Sequence, residues 1–276
     1  MQSIQIGNRK VAQLGQGTWN MGDSPMKRAA EVAALRRGLE LGLSVIDTAE
    51  MYGNGRSEQL VGEAIAGMRD QTYLVSKVLP SNASTQGTVS ACEASLKRLR
   101  VETLDLYLLH WPGRFPLEET AEGFDRLLDQ GKIQAWGVSN FDVSGMREVR
   151  SLQAGNSCIA DQVLYNPEYR GIEFDLLPWC DEHQTTVMAY SPVGQGGDLL
   201  RSAALSRVAR RHNVSPAQIA LAWGMRQPVL SIPKAGTIQH VEENLAATLL
   251  ELTPDDLADI DREFAPPKHR QALATL

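Results

Sequence analysis

Cysteine is scarce and placed for little but packing. Cys92, Cys158 and Cys180 are odd in number and lack the close spacing of a metal site or a disulfide framework. They read as plain core thiols, suited to a reducing, cytoplasmic setting, and no metal is expected. Long apolar runs are also missing. No stretch approaches the ~18 residues needed to span a bilayer, so no membrane partner is expected. The start of the chain, Met1-Gln2-Ser3-Ile4-Gln5-Ile6, has no basic region followed by an apolar segment, and so no expected signal peptide. Positive charge is in deficit: 27 Lys+Arg stand against 33 Asp+Glu, for a net charge of -6. The cations are scattered and form no basic stripe, which argues against nucleic acid. No Pro/Ser-rich linker divides the chain, so residues 1–276 are read as one domain. Finally, Gly15-Gln16-Gly17 runs on into Thr18-Trp19-Asn20, not into a helix start with a third glycine. The fingerprint of an open dinucleotide-binding sheet is therefore absent.

What is present is a steady alternation of strand and helix patterns. Ser3–Ile6, a Gly7-Asn8 turn and Lys10–Ala12 read as a β-hairpin. Strands follow at Leu14–Trp19, Val45–Asp47, Thr72–Lys77, Leu104–His110, Ile133–Val138, Ile159–Val163, Thr185–Ala189 and Val229–Ile232. Leu104–His110 is nearly all apolar, as expected of a parallel strand covered on both faces. Between strands, apolar residues step by three and four: Val32, Leu35, Leu39; then Val89, Cys92, Leu96, Leu99; then Val241, Leu245, Leu249. Ser57, Asp142 and Ser215-Pro216 read as helix starts, and Thr253-Pro254 opens an extra helix. Eight strands, each with a helix, in a chain close to the ~250 residues typical of the fold, give an α/β class (β/α)8 TIM barrel with an N-terminal β-hairpin and extra helices.

In such a barrel all strand C-termini converge on one face, where active sites are built. Strands two to eight end in Asp47, Lys77, His110, Ser139-Asn140, Gln162, Tyr190 and Lys234, and the loop after Asp47 adds Tyr52. Any one of these could be structural. Chemically able residues at seven successive strand ends are harder to assign to chance. Four fit one mechanism. Lys77 can pair with Asp47, offsetting part of the cost of burying both. Its remaining field is expected to lower the pKa of Tyr52 and make it a general acid for a carbonyl oxygen. Neutral His110 could orient and polarise the same oxygen. There is no activated Ser or Cys nucleophile, so the chemistry suggested is protonation of an oxygen that gains negative charge. The electrons must come from elsewhere, which implies a hydride-carrying cofactor.

The chain resembles the aldo-keto reductases, NADPH-dependent carbonyl reductases on a (β/α)8 barrel. The matching pieces are Gly17-Thr18-Trp19, Asp47-Thr48-Ala49 with Tyr52-Gly53, Lys77, Leu109-His110-Trp111-Pro112, Gly137-Val138-Ser139-Asn140-Phe141, Gln162-Val163 with Tyr165-Asn166-Pro167, Ala189-Tyr190-Ser191-Pro192, Ile232-Pro233-Lys234 and Glu243-Asn244. The resemblance implies Tyr52 as acid, with Lys77, Asp47 and His110 completing a tetrad. It implies that Ser139, Asn140 and Gln162 hold the nicotinamide carboxamide and that Tyr190 stacks on the ring. Lys234 would meet the 2'-phosphate of NADP(H), and Glu243 and Asn244 the adenine. Gly17, Thr18, Trp19, Ser191, Pro192, Val193, Ala235, Gly236, Thr237 and His240 would border the cofactor.

One position departs from the pattern. The family usually carries an arginine six residues after the phosphate-binding lysine, and this chain has His240. Arginine grips phosphate bidentately, while a neutral histidine can only stack or make one hydrogen bond. Ala235 likewise stands where a polar residue is common. NADPH is still the expected cofactor, with weaker discrimination against NADH. Trp19, Met51, His110 and Trp111 are the expected substrate contacts. Short loops after Trp111 and Tyr190 imply small or varied substrates, as in compact bacterial relatives that reduce methylglyoxal, small aldehydes and diketo sugar acids. Two other readings stay open: a barrel aldolase using Lys77 as a Schiff base, and a non-catalytic cofactor-binding barrel. With no exposed apolar stripe, a monomer is expected.

Overall fold

The computed structural model describes residues 2–276. The hairpin comes first, with β1 (Ser3–Ile6) and β2 (Arg9–Ala12) antiparallel and Ile6 facing Arg9 across the turn. The barrel strands are β3 (Gln16–Gly17), β4 (Val45–Asp47), β5 (Tyr73–Val78), β6 (Leu106–Leu109), β7 (Trp136–Ser139), β8 (Cys158–Leu164), β9 (Thr186–Tyr190) and β10 (Val229–Ile232). They pair in parallel in sequence order. Between β10 and β3 the ring is joined by isolated parallel bridges, Leu14 to Ser231 and Gly17 to Lys234. The backbone amide of Gly15 donates to Ser231 O at 2.8 Å and that of Gly17 to Pro233 O at 2.9 Å. A Cβ on Gly17 would lie 3.1 Å from Ile232 O, so a side chain there would crowd this joint.

Helices α1 (Pro25–Glu40), α2 (Arg56–Ala64), α3 (Thr85–Leu99), α4 (Leu117–Asp129), α5 (Val143–Ser151), α6 (Leu176–Glu182), α7 (Ala203–His212), α8 (Pro216–Met225), α9 (Ile238–Ala246) and α10 (Pro254–Glu263) complete the chain. They cover the sheet through a continuous buried cluster that includes Leu60, Cys92, Leu99, Phe124, Trp136, Val163 and Trp223. A second cluster fills the lower barrel. Ile6 and Val11 of the hairpin pack there on Val45, Val75, Leu106, Leu108 and Met188, so the hairpin closes that end. All three cysteines are buried and free. No helix among the described residues is long and apolar enough to cross a membrane.

Most expected helix starts hold. Asp142 accepts from Gly145 N, Ser215 and Gln218 form a capping box, and Thr253 and Asp256 form another. Ser57 is a correction. Helix α2 starts two residues earlier, at a left-handed Gly55 with φ +85°, and Ser57 lies inside it, fully buried. Its hydroxyl donates to Thr18 Oγ1 at 2.8 Å and sits 3.2 Å from Thr48 Oγ1. The serine is spent on tying β3 to the loop after β4, so it cannot cap.

Candidate active site

The strand ends do converge. Asp47 closes β4, Lys77 is next to last in β5, and His110 follows β6 directly. The Lys77 side chain is fully buried and that of Asp47 nearly so. An ammonium has three protons to place. Lys77 Nζ donates to Asp47 Oδ2 at 2.8 Å, Thr48 O at 2.9 Å and Tyr52 Oη at 3.1 Å. Burial favours the neutral amine, but Asp47 and Tyr52 outweigh it and leave the Lys77 pKa raised. A protonated, fully bonded lysine is a poor Schiff-base nucleophile, which removes the main support for the aldolase reading.

Tyr52 departs from expectation in one respect. Its pKa is raised, because burial outweighs the lowering by Lys77. The hydroxyl therefore holds its proton, and Lys77 limits the rise instead of producing a net fall. His110 lies edge-on to the Tyr52 ring, with centroids 5.8 Å apart. Burial, then the Lys77 charge, lowers its pKa to about 2, so the imidazole is neutral. Its Nδ1 is buried without a protein partner.

The next strand ends form a connected polar lattice. Asp47 Oδ1 accepts from Gln162 Nε2 at 2.8 Å, which commits that amide nitrogen to the tetrad. Ser139 Oγ donates to Gln162 O at 2.7 Å, and Asn140 Nδ2 to His110 O and Ser139 Oγ, each at 3.1 Å. Tyr190 Oη donates to Asn140 Oδ1 at 2.9 Å. Burial pushes the Tyr190 pKa up to about 12. Asn140 and Ser191 both adopt left-handed backbone, φ +63° and +49°, each directly after a strand. Such conformations cost of order 1–3 kcal/mol and cluster at functional sites.

These groups border a cavity of about 430 Å³. At one end lie Tyr52, His110, Trp19, Met51 and Trp111, the last three exposed at its mouth. Its wall also includes Gly17, Thr18, Ser139, Asn140, Gln162, Tyr190, Ser191, Pro192, Val193 and Lys234, the last bridged to Gly17. Ala235, Gly236, Thr237, His240, Glu243 and Asn244 are not part of this cavity wall. They continue from Lys234 into α9, where Thr237 caps the helix by accepting from His240 N at 3.3 Å. Lys234, Thr237 and His240 are exposed. Glu243 accepts from Gln239 Nε2 at 2.8 Å.

Sequence reasoning missed Asn20, Gln195, Gly196 and Leu276 in the cavity wall. No local pattern marks Leu276. It is brought there by a tail that Arg270 anchors to Asp142 at 2.9 Å and Asp175 at 3.2 Å, contacts between distant parts of the chain. Among the described residues no three His, Cys, Asp or Glu side chains gather as a metal site.

The comparisons agree with this geometry. The sequence model of the Aldo/keto reductase family matches residues 13–263. The chain is 51% identical over 272 residues to methylglyoxal reductase YeaE of Escherichia coli, covering 97% of this chain and 96% of that one. It is 34% identical to glyoxal reductase of Bacillus subtilis, covering 83% and 81%. Among solved structures it is similar to an aldo/keto reductase of Klebsiella pneumoniae in complex with NADP and acetate, TM-score 0.96 and 45% identity, covering 99% of both chains. A Klebsiella pneumoniae aldo-keto reductase in complex with NADPH superposes with TM-score 0.97 at 44% identity, covering 100% of this chain and 99% of that one. A barrel with these strand ends, matched in sequence over nearly its whole length, belongs to the aldo/keto reductase family.

Proposed function

We propose that the protein is an NADP(H)-dependent oxidoreductase that reduces small aldehydes and ketones to alcohols. The observation that carries the reading is the buried contact set Asp47–Lys77–Tyr52 beside a neutral His110, at one end of an open cavity. The cavity suits the cofactor: polar strand ends and Lys234 line it. Lys234 is exposed and free to meet a phosphate. Ser139, Asn140 and Gln162 offer amide and hydroxyl groups for a carboxamide, and Tyr190 offers a ring face. When bound there, the reduced nicotinamide supplies the hydride.

The chain's own residues handle the oxygen. Tyr52 keeps its proton until a carbonyl oxygen gaining charge takes it, acting as the general acid. Lys77 stabilises the phenolate left behind, and Asp47 keeps Lys77 charged in a buried place. His110 is neutral and can donate a hydrogen bond that orients the same oxygen. Trp19, Met51 and Trp111 give the substrate end an aromatic and apolar lining. The relatives' activities make methylglyoxal and glyoxal the first substrates to try. His240 in place of an arginine should weaken the preference for NADPH over NADH without reversing it.

The test follows the loss of reduced-nicotinamide absorbance with methylglyoxal, with NADPH and NADH in parallel, for wild type and Tyr52→Phe. Turnover by wild type that collapses in the variant supports the assignment. Tight NADPH binding without turnover on any small carbonyl would favour a non-catalytic cofactor-binding protein.

A further inference from the structure

The loop that carries Tyr52 has a backbone that glycine and asparagine make possible. Three residues in a row, Gly53, Asn54 and Gly55, sit in the left-handed region at φ +56°, +52° and +85°. Its local support is a short turn of backbone bonds, Tyr52 N to Ala49 O and Asn54 N to Met51 O at 3.1 Å each, and further support comes from outside it. It is gripped from two sides. A Cβ on Gly53 would land 2.5 Å from Asp23 Oδ1, and Asp23 accepts from Arg56 Nη2 at 2.7 Å. A Cβ on Gly55 would land 2.5 Å from Arg98 Cδ and 2.8 Å from its Nε. The Arg98 side chain, from α3, lies directly against the loop.

The first grip is at the surface, with Arg56 and Asp23 both largely exposed. The second is not. Arg98 Nε donates at 2.5 Å to Glu58 Oε2, a carboxylate with no exposed surface. The other oxygen of Glu58 accepts from Ser76 Oγ at 2.6 Å. Ser76 is the neighbour of Lys77 in β5 and points to the helix side, as alternation along a strand requires. Arg98 is itself steadied by Ser95, its Nη2 donating at 3.0 Å. Burying a carboxylate is costly, and here that cost is met by one guanidinium and one hydroxyl.

We propose that Glu58 and Arg98 are positioning residues: one buried pair joins the floor of the Tyr52 loop to the strand that carries Lys77. Neither touches the cavity. Through Arg98 the pair sets the height of the loop, and through Ser76 it sets β5. The 3.1 Å contact between Tyr52 Oη and Lys77 Nζ joins the two elements that those supports hold. The Thr18–Ser57–Thr48 hydroxyl cluster holds the β3 and β4 side of the same loop, and of its members only Thr48 meets Lys77, through its backbone carbonyl.

The inference rests on the reduction proposed above, and its test has one arm that does not. The variant is Glu58→Gln with Arg98→Ala, which removes both charges together and leaves neither stranded; Arg98→Lys is the conservative control. The crystal structure of the double variant should show Tyr52 Oη outside hydrogen-bond reach of Lys77 Nζ. With methylglyoxal and NADPH, kcat should fall about ten- to hundred-fold, the scale of a misplaced reacting group. NADPH affinity should be unchanged. Without the nearby Lys77 charge, the phenol titrates later, so the alkaline fall-off of kcat should move to higher pH. Arg98→Lys should restore most of the rate and the wild-type limb. A Tyr52 still on Lys77 in the crystal, or a lower rate with an unmoved alkaline limb, overturns the proposal. An inactive wild type overturns the reduction reading alone, because the crystallographic distance still decides the positioning.

Discussion

The two ends of the barrel each bury an aspartate among cations, and they do it to opposite effect. At the hairpin end Asp105 accepts from Arg9 Nη1 at 2.8 Å, from Leu74 N at 2.8 Å and lies 2.8 Å from Arg69 Nη2. Arg9 also lies over the Tyr73 ring, 5.4 Å from its centroid. Guanidiniums are always charged and geometrically fixed, so this cluster is saturated and has nothing left to do. It pins the hairpin to the barrel beside a broad depression of about 1180 Å³, larger than the cavity at the other end. At that other end Asp47 meets one lysine and one amide, and the same lysine reaches on to a titratable hydroxyl. A buried nitrogen of His110 is left open. Cavity size would have chosen the wrong end. Buried titratable groups linked to one another and opening on the cavity mark the end with chemistry.

This contrast can be broken first at Lys77. Lys77→Met strands Asp47, and a buried unpaired charge costs roughly 3–5 kcal/mol. It also removes the charge beside the acid, worth about 10²–10⁴-fold in rate if the acid assignment holds. Calorimetry and NADPH-linked assays should register both losses. Asp105→Asn should separate them: stability falls by about 1–3 kcal/mol as two partly exposed arginines lose their anionic partner and one of its two acceptor oxygens, while kcat per folded molecule stays at the wild-type value. A loss of kcat there would erase the division between the two ends.

A third buried aspartate sharpens the comparison because it has no cation. No side chain pairs with Asp161; the Phe141 backbone amide is its one favourable neighbour, and burial outweighs it and raises the Asp161 pKa well above the usual carboxylate range. The folded form thus holds a proton that the unfolded chain releases near ~4. Stability is full below that pH and is lost as pH rises toward the folded value. Asp161→Asn should melt above wild type at neutral pH, with the gap closing toward pH ~4. Melting temperatures across that range check it. The smallest effect is expected at the rim. His240→Arg adds one exposed charge facing the proposed phosphate site, worth about 0.2–1 kcal/mol, so KM for NADPH should drop roughly two- to five-fold. KM for NADH should not move.

Much of this was legible because the fold turns sequence order into spatial order. Once the eight strands were recognised, each strand-end residue had to lie on one rim, and Asp47, Lys77 and His110 met there. What failed to show were contacts that depend on other parts of the chain. Ser57 looked like a cap because serine before an apolar run usually is one. The left-handed Gly55 started the helix earlier and released the serine to the Thr18 cluster. Glu58 and Arg98 carry no signal in the sequence, since nothing local says that their side chains meet under the loop. The net pKa of Tyr52 was missed for a similar reason: the attraction of Lys77 follows from the motif, but the desolvation opposing it depends on the finished walls of the site.

The joint between β10 and β3 carries a further consequence. It is held by isolated bridges and a few backbone bonds around Gly15, Gly17 and Ser231, and on its other side β3 meets β4 over only two register pairs, while β9 and β10 share four. That makes it the natural place for the ring to breathe, and the amides of Gly15 and Gly17 the reporters of that opening in hydrogen exchange. The proposed cofactor groove straddles the joint, with Gly17 to Trp19 on one side and Lys234 on the other. A ligand lying across it acts as a clasp. Exchange at those two glycines should slow in step with cofactor occupancy, while amides of the opposite wall, around β6 and β7, keep their rates.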